Sequence, residues 1–197
     1  MATTTLNANR SVHIDSSSPT TNQDGSPQLD VGESALSSEL RRGLVGFDLS
    51  SLANSTINSV TLKIYDTGAS TLTSNTRTLS VYRLKRAWVE NQATWNVYST
   101  GNSWSTARAS HANDRDSSDS GTYSAASPPP TGYQSITINT ANFQEMVDGT
   151  FTNNGFILVM GTETNDMHRY NGSGEANPPQ LVVDYTPKGK ALFFSQL

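Results

Sequence analysis

The chain has 197 residues, 34% of them hydrophobic and 15% charged, with no cysteine and a formal net charge of −4. Charged residues are scarce beside the roughly 25% of an ordinary soluble domain, and Ser and Thr fill about a quarter of the chain. These values exclude a disulfide framework and thiolate metal sites, a membrane-spanning apolar run and the basic surface of a nucleic-acid binder.

The elements follow in chain order. Met1 to Leu6 carries neither a basic start nor an apolar run, so no secretion signal is expected. Val12-His-Ile14 begins a pattern of period two, the mark of a strand with one face inward. Leu44-Val-Gly-Phe47 is nearly continuous in apolar residues and predicts a strand covered on both faces. Val60-Thr-Leu62-Lys-Ile64 and Leu79-Ser-Val81 return to alternation. Residues 98–134, rich in Ser, Thr, Asp, Gly and Pro, predict one long polar loop.

Ile136-Thr-Ile138 alternates again, and then Phe143, Met146 and Val147 share one helical face, with Thr140 as the cap and Gly149 as the stop. Phe156-Ile-Leu-Val-Met160 is a second doubly buried strand, and Leu181-Val-Val183-Asp-Tyr185 closes the pattern. Asn22-Gln-Asp24-Gly25, Asp66-Thr-Gly68, Asn153-Asn154-Gly155 and Asn171-Gly172 punctuate it as turns. Eight to ten short strands predict an all-β fold, an antiparallel two-sheet, jelly-roll-like β-sandwich with one short helix, over residues 1–187. Residues 188–197 form an apolar C-terminal tail. Its Leu192, Phe193, Phe194 and Leu197 must pack on their own domain or dock on a partner.

The order of several segments carries a family resemblance. They are Leu29-Asp-Val31-Gly32, Arg42-Gly-Leu44-Val-Gly-Phe47-Asp48, Ile57-Asn-Ser-Val60-Thr-Leu62-Lys-Ile64-Tyr65, Trp88-Val-Glu90 through Thr94-Trp95, Asn154-Gly155-Phe156 and Pro178-Pro-Gln-Leu181. In this order the chain resembles the DNRLRE-type β-sandwich family, which includes alginate-binding carbohydrate-binding modules. The motifs themselves read as structural. Phe47 is a core anchor, Asp48 an acceptor for the amides of the next turn, and Trp88 and Trp95 pins of a corner in which Glu90 and Thr94 satisfy loop amides.

Catalytic motifs are absent. His13, His111 and His168 are widely spaced, and no nucleophile elbow, phosphate loop or dinucleotide motif occurs. The chain is expected not to be an enzyme and to need no cofactor, with calcium possible at Asp114, Asp116 and Asp119, which lack the glycine and closing glutamate of a calcium loop. Trp104, Tyr98, Tyr123 and Tyr133, with Arg108 and Arg115 for an acidic sugar, are the candidate glycan-contacting residues.

Two functions lead, ahead of a surface-layer or adhesion module and a polysaccharide-cleaving enzyme. One is a structural or attachment protein at the surface of a virus (phage) particle, such as a capsid decoration or tail-associated protein. It would contact capsid or tail proteins, or itself, as an oligomer through the tail, with a polysaccharide as a further ligand. The other is an extracellular carbohydrate-binding module of a secreted polysaccharide-active protein, which the resemblance implies for an acidic glycan such as alginate.

Overall fold

Turn residues divide the chain into strands whose alternate side chains are apolar, and antiparallel pairing gathers those side chains between two layers. The computed structural model describes residues 1–69 and 76–188. Thirteen strands result: β1 (Ala2–Asn7), β2 (Arg10–Asp15), β3 (Gln28–Glu33), β4 (Leu40–Gly46), β5 (Ser55–Thr67), β6 (Arg77–Arg83), β7 (Val97–Ser99), β8 (Asn102–Ser103), β9 (Gly121–Ala125), β10 (Thr131–Thr137), β11 (Phe156–Met160), β12 (His168–Asn171) and β13 (Gln180–Pro187). The described residues hold one α-helix, α1 (Thr140–Asp148).

In the first layer β5 is central. Leu62 pairs with Leu181 of β13 on one edge and with Ile136 of β10 on the other, and β1 pairs the far edge of β13. Near its end β5 meets β12, which pairs β3. In the second layer β4 lies between β2 and β11, and β6 and β9 follow. Gly32 and Glu33 of β3 pair with Arg41 and Leu40 of β4, so this strand joins the layers. All of these pairings are antiparallel, and the fold is the all-β sandwich expected from the sequence.

Val31, Val45, Leu62, Ile64, Phe143, Phe156, Leu158 and Leu181 are buried between the layers. A second apolar cluster lies on the outer face of the second layer. Val12, Ile14, Leu44, Ile157 and Val159 face outward there and meet Trp88, Ala93, Trp104 and Ala109. This second core is why β4 and β11 read as continuous apolar runs, and all five residues of β11 are buried. Asn154-Gly155 leads into β11. Gly155 has φ +77°, and a Cβ there would collide with the Val45 carbonyl, so the turn requires glycine.

Two local expectations need correction. Residues 98–134 are not one loop: β9, the start of β10 and most of the β7–β8 hairpin fall within them. The polar residues misled because β9 and β10 bury few of their positions. The helix spans Thr140–Asp148 as its apolar spacing suggests, and Gly149 ends it at φ 78°. Its cap is Asn139, whose side chain accepts from the Asn142 amide, rather than Thr140, which is the first helical residue. Asp48 accepts from the Ser50 amide at 2.9 Å, and Thr94 Oγ1 accepts from the amides of Asn96 and Val97.

His13 on β2 is buried, with Nδ1 3.1 Å from the Gln28 carbonyl. Burial pushes its pKa down, outweighing the Gln28 carbonyl and Asp30, which favour the charged ring. The unfolded state therefore takes up this proton first as pH falls through about 6.5. Stability from His13 is full above that value and is lost on acidification, until the folded pKa is passed. The urea midpoint is expected to fall between pH 7.5 and 5.5, and His13→Gln to flatten that fall. An unchanged slope in the variant would assign it elsewhere.

Candidate functional site

The two outer faces of the sandwich differ. The face of β4 and β11 is closed by the chain between β6 and β9. There Trp88 Nε1 donates to the Asn154 carbonyl at 2.7 Å and Trp104 Nε1 to the Thr94 carbonyl at 3.0 Å, both buried. Asn22 Nδ2 bonds the carbonyls of Glu90 and Ala93, and Glu90 Oε1 accepts from the Ser11 amide. Trp104 is 4% exposed and stacks obliquely on Tyr98 at 5.5 Å between ring centroids, with Arg86 over the other ring. Trp104 therefore has no free face for a ligand. Tyr123 packs against the inner core, and its hydroxyl donates to Gln134 Oε1 at 2.6 Å.

The acidic trio between β8 and β9 is separately engaged. Asp114 is buried and accepts from the amides of Ser105 and Thr106 and from Arg86. Burial alone would raise its pKa, but these donors hold it below the ordinary carboxylate value. Asp116 pairs with Arg83 at 2.6 Å and Lys85 at 3.4 Å, while Asp119 is exposed. Among the described residues no group of three or more His, Asp and Glu is arranged to hold a metal ion.

The opposite face, on β1, β13, β5 and β10, has no covering segment among the described residues. Its outward row runs Ser59, Thr61, Lys63, Tyr65 and Thr67 on β5, beside Tyr133, Ser135 and Thr137 on β10. Thr3, Thr5 and Asn7 of β1 line its far side and are exposed. Asp184 joins the rows by accepting from the hydroxyls of Thr3 and Ser59. Tyr133 and Tyr65 are cross-strand partners, and their half-buried rings meet edge to face at 5.3 Å. Lys63 Nζ lies 5.4 Å from the Tyr133 ring centre, and the Tyr133 hydroxyl donates to the Pro178 carbonyl at 3.1 Å. Neither Tyr65 nor Lys63 stood out in the sequence as a site residue. Their signal was positional, since both occupy outward places of an alternating strand that needs no aromatic there.

Arg108 reaches Glu163 Oε2 at 3.3 Å, on the carboxylate that Arg42 also grips, whereas Arg115 lies over the Tyr82 ring at 3.8 Å. Sequence spacing also missed a buried pair 102 residues apart, His168 Nδ1 at 2.8 Å from Asp66 Oδ2. Both side chains are enclosed, at 0% and 1% exposure, so the pair has no access to substrate. Leu192, Phe193, Phe194 and Leu197, the expected docking residues, lie outside the described residues.

No helix among the described residues is long and apolar enough to cross a membrane. No curated protein matches the chain. A family model, the disaggregatase-related repeat domain, matches residues 11–183 and so takes in the sandwich from β2 to β13. The chain belongs to the disaggregatase-related repeat domain family.

Proposed function

We propose that the protein is a non-catalytic attachment module that holds a polysaccharide against the open face of its first layer. One observation carries the reading. Of two outer faces, one is sealed by its own apolar cover, while the other presents hydroxyls and amides around Tyr65, Tyr133 and Lys63. Sugar rings offer apolar C–H surface to an aromatic side chain and hydroxyls to polar neighbours, and a cation suits an acidic sugar. Such a face fits the DNRLRE-type carbohydrate-binding modules that the sequence resembles, and a repeat domain fits a secreted polysaccharide-active protein. The same face would serve a phage capsid-decoration or tail-associated protein at a virion surface, with the apolar tail as its docking segment. The enclosure of the His168–Asp66 pair supports the non-catalytic part of the reading.

The test is affinity electrophoresis of the full chain through gels containing alginate or a neutral glucan. Tyr133→Ala and Tyr65→Ala are each expected to weaken retardation about five- to tenfold, the worth of an aromatic contact of about 1–1.4 kcal/mol. The urea midpoint of each variant separates lost contact from lost fold. Undiminished retardation in the double variant would overturn the site. Sedimentation of the full chain against one ending at Pro187 separates the two settings, since a particle protein should lose self-association with the tail.

A further inference from the structure

The layers of the sandwich end at edges, and the edges are not guarded alike. A bare edge offers unpaired N–H and C=O groups to any other strand, so proteins blunt it with charge, proline, bulges or a cover. On β2, which pairs with β4, the Ser11 amide is taken by Glu90 Oε1. β9 and β10 close on each other at the far side. A Cβ on Gly121 would collide with the Thr137 carbonyl, and the Asn139 amide donates to the Ser120 carbonyl at 2.6 Å. β10 also follows Pro128-Pro-Pro130 and contains Gly132 at φ 128°.

β1 has none of these guards. It stands at the end of the path of paired strands, with β13 on one side and no strand of the described residues on the other. Its residues, Ala-Thr-Thr-Thr-Leu-Asn, hold no charge, proline or glycine. Its register runs unbroken from Ala2 opposite Tyr185 to Asn7 opposite Gln180. Consecutive β-branched threonines favour the extended chain.

One bond shows which groups are free. The Ala8 amide donates to the Pro179 carbonyl at 2.7 Å, just past the Asn7–Gln180 pair. Backbone groups point alternately to the two sides of a strand, so Leu6, Thr4 and Ala2 also bond toward β13. Thr3, Thr5 and Asn7 then direct their N–H and C=O to the open side, and all three residues are exposed.

We propose that β1 is a docking edge for a second copy of this chain, paired antiparallel about a two-fold axis at Thr5. With Thr5 opposite the partner subunit's Thr5, Thr3 falls opposite the partner's Asn7 and Asn7 opposite the partner's Thr3. Each of these pairs exchanges two hydrogen bonds. A slip of one residue would set outward threonines against inward-facing Leu6, and a slip of two would leave Asn7 unpaired. A two-fold contact sets like residues against like, which a charged strand forbids and this neutral one permits. The shared ladder spans about 20 Å at roughly 3.4 Å per residue. It therefore buries less than the roughly 1,200 Å² of a stable complex, and the dimer is weak and concentration-dependent. Pairing joins the open faces of the two copies into one, and it does not depend on what that face binds.

The test is amide hydrogen exchange and sedimentation equilibrium of the full chain from about 10 μM to about 1 mM. The amides of Thr3, Thr5 and Asn7 are expected to slow as concentration rises, while those of Thr4 and Leu6, already bonded to β13, hold constant. Thr5→Pro removes a donor on each side of the axis and no bond to β13, and is expected to weaken the dimer about tenfold or more. Thr5→Lys and Thr5→Glu are each expected to be monomeric alone and to associate when mixed. Urea midpoints check the fold of each variant, and if Thr5→Pro lowers its own, the charged pair carries the test. A chain that stays monomeric to the highest concentration overturns the proposal. So does a dimer that persists in both charged variants, which would place the contact elsewhere, the segment after Lys188 included.

Discussion

Trp104→Ala is expected to cost about 3–5 kcal/mol of stability, the range for truncating a buried tryptophan. The ring is 4% exposed within the outer apolar cluster, and its Nε1 donates to the Thr94 carbonyl at 3.0 Å. Removing it opens a cavity beneath the cover of β4 and β11 and leaves that carbonyl to find water. The same cover holds Trp88, whose Nε1 bonds the Asn154 carbonyl and whose ring lies under Arg10 at 4.6 Å. Urea unfolding at pH 7 checks the value. A loss below about 1 kcal/mol would mean that the ring is not packed as described. Glycan retardation of the folded variant is expected to match the parent, which separates Trp104 from Tyr133, although both were aromatic candidates in the same polar stretch of sequence.

That contrast marks what the sequence disclosed. Period-two alternation in Val60–Ile64 and Leu181–Tyr185, and the unbroken apolar runs at 44–47 and 156–160, were sufficient for the sandwich and its doubly buried strands. Alternation reports which side chains turn inward, a local property of the strand. It does not report which segment covers an outer face, and that decision separated the aromatic residues here. Trp104 and Tyr98 went under the cover, while Tyr133 paired with Tyr65 across β5 and β10. The ion pairs at the rim of the closed face were half legible. Arg108 stood out in the sequence, but Arg42 and Glu163 reach it only through the β4–β11 pairing. The left-handed backbone at Arg108, Ala109 and Glu163 carries no glycine or asparagine to announce it.

Asp30→Ala is expected to be the other severe substitution, at about 3 kcal/mol. Asp30 sits on β3, the strand that joins the two layers, and is 2% exposed. Arg169 of β12 grips it with Nε at 2.7 Å and Nη2 at 3.0 Å, and Arg41 of β4 donates to it from the other side. Arg41 also reaches Asp15 of β2 at 2.9 Å and Glu39 at 2.7 Å. One carboxylate therefore ties β3 to both of its neighbours, and its loss leaves two guanidiniums facing each other across the seam. The 33% exposure of Arg169 lets water recover part of that cost, which keeps the figure at the lower end for a broken buried pair. Asp30→Asn retains an acceptor and is expected to cost about half as much. Acid should act on the same group. Burial alone would raise the Asp30 pKa, but Arg169, then His13 and Arg41, hold it below its ordinary value. A carboxylate lowered in this way contributes fully above the unfolded pKa of about 3.9. Its contribution disappears as pH falls through the lower folded value. The parent is expected to lose stability steeply below pH 4, and Asp30→Asn to lose less over that interval. Parallel acid limbs in the two urea series would show that the seam does not depend on the charge of Asp30.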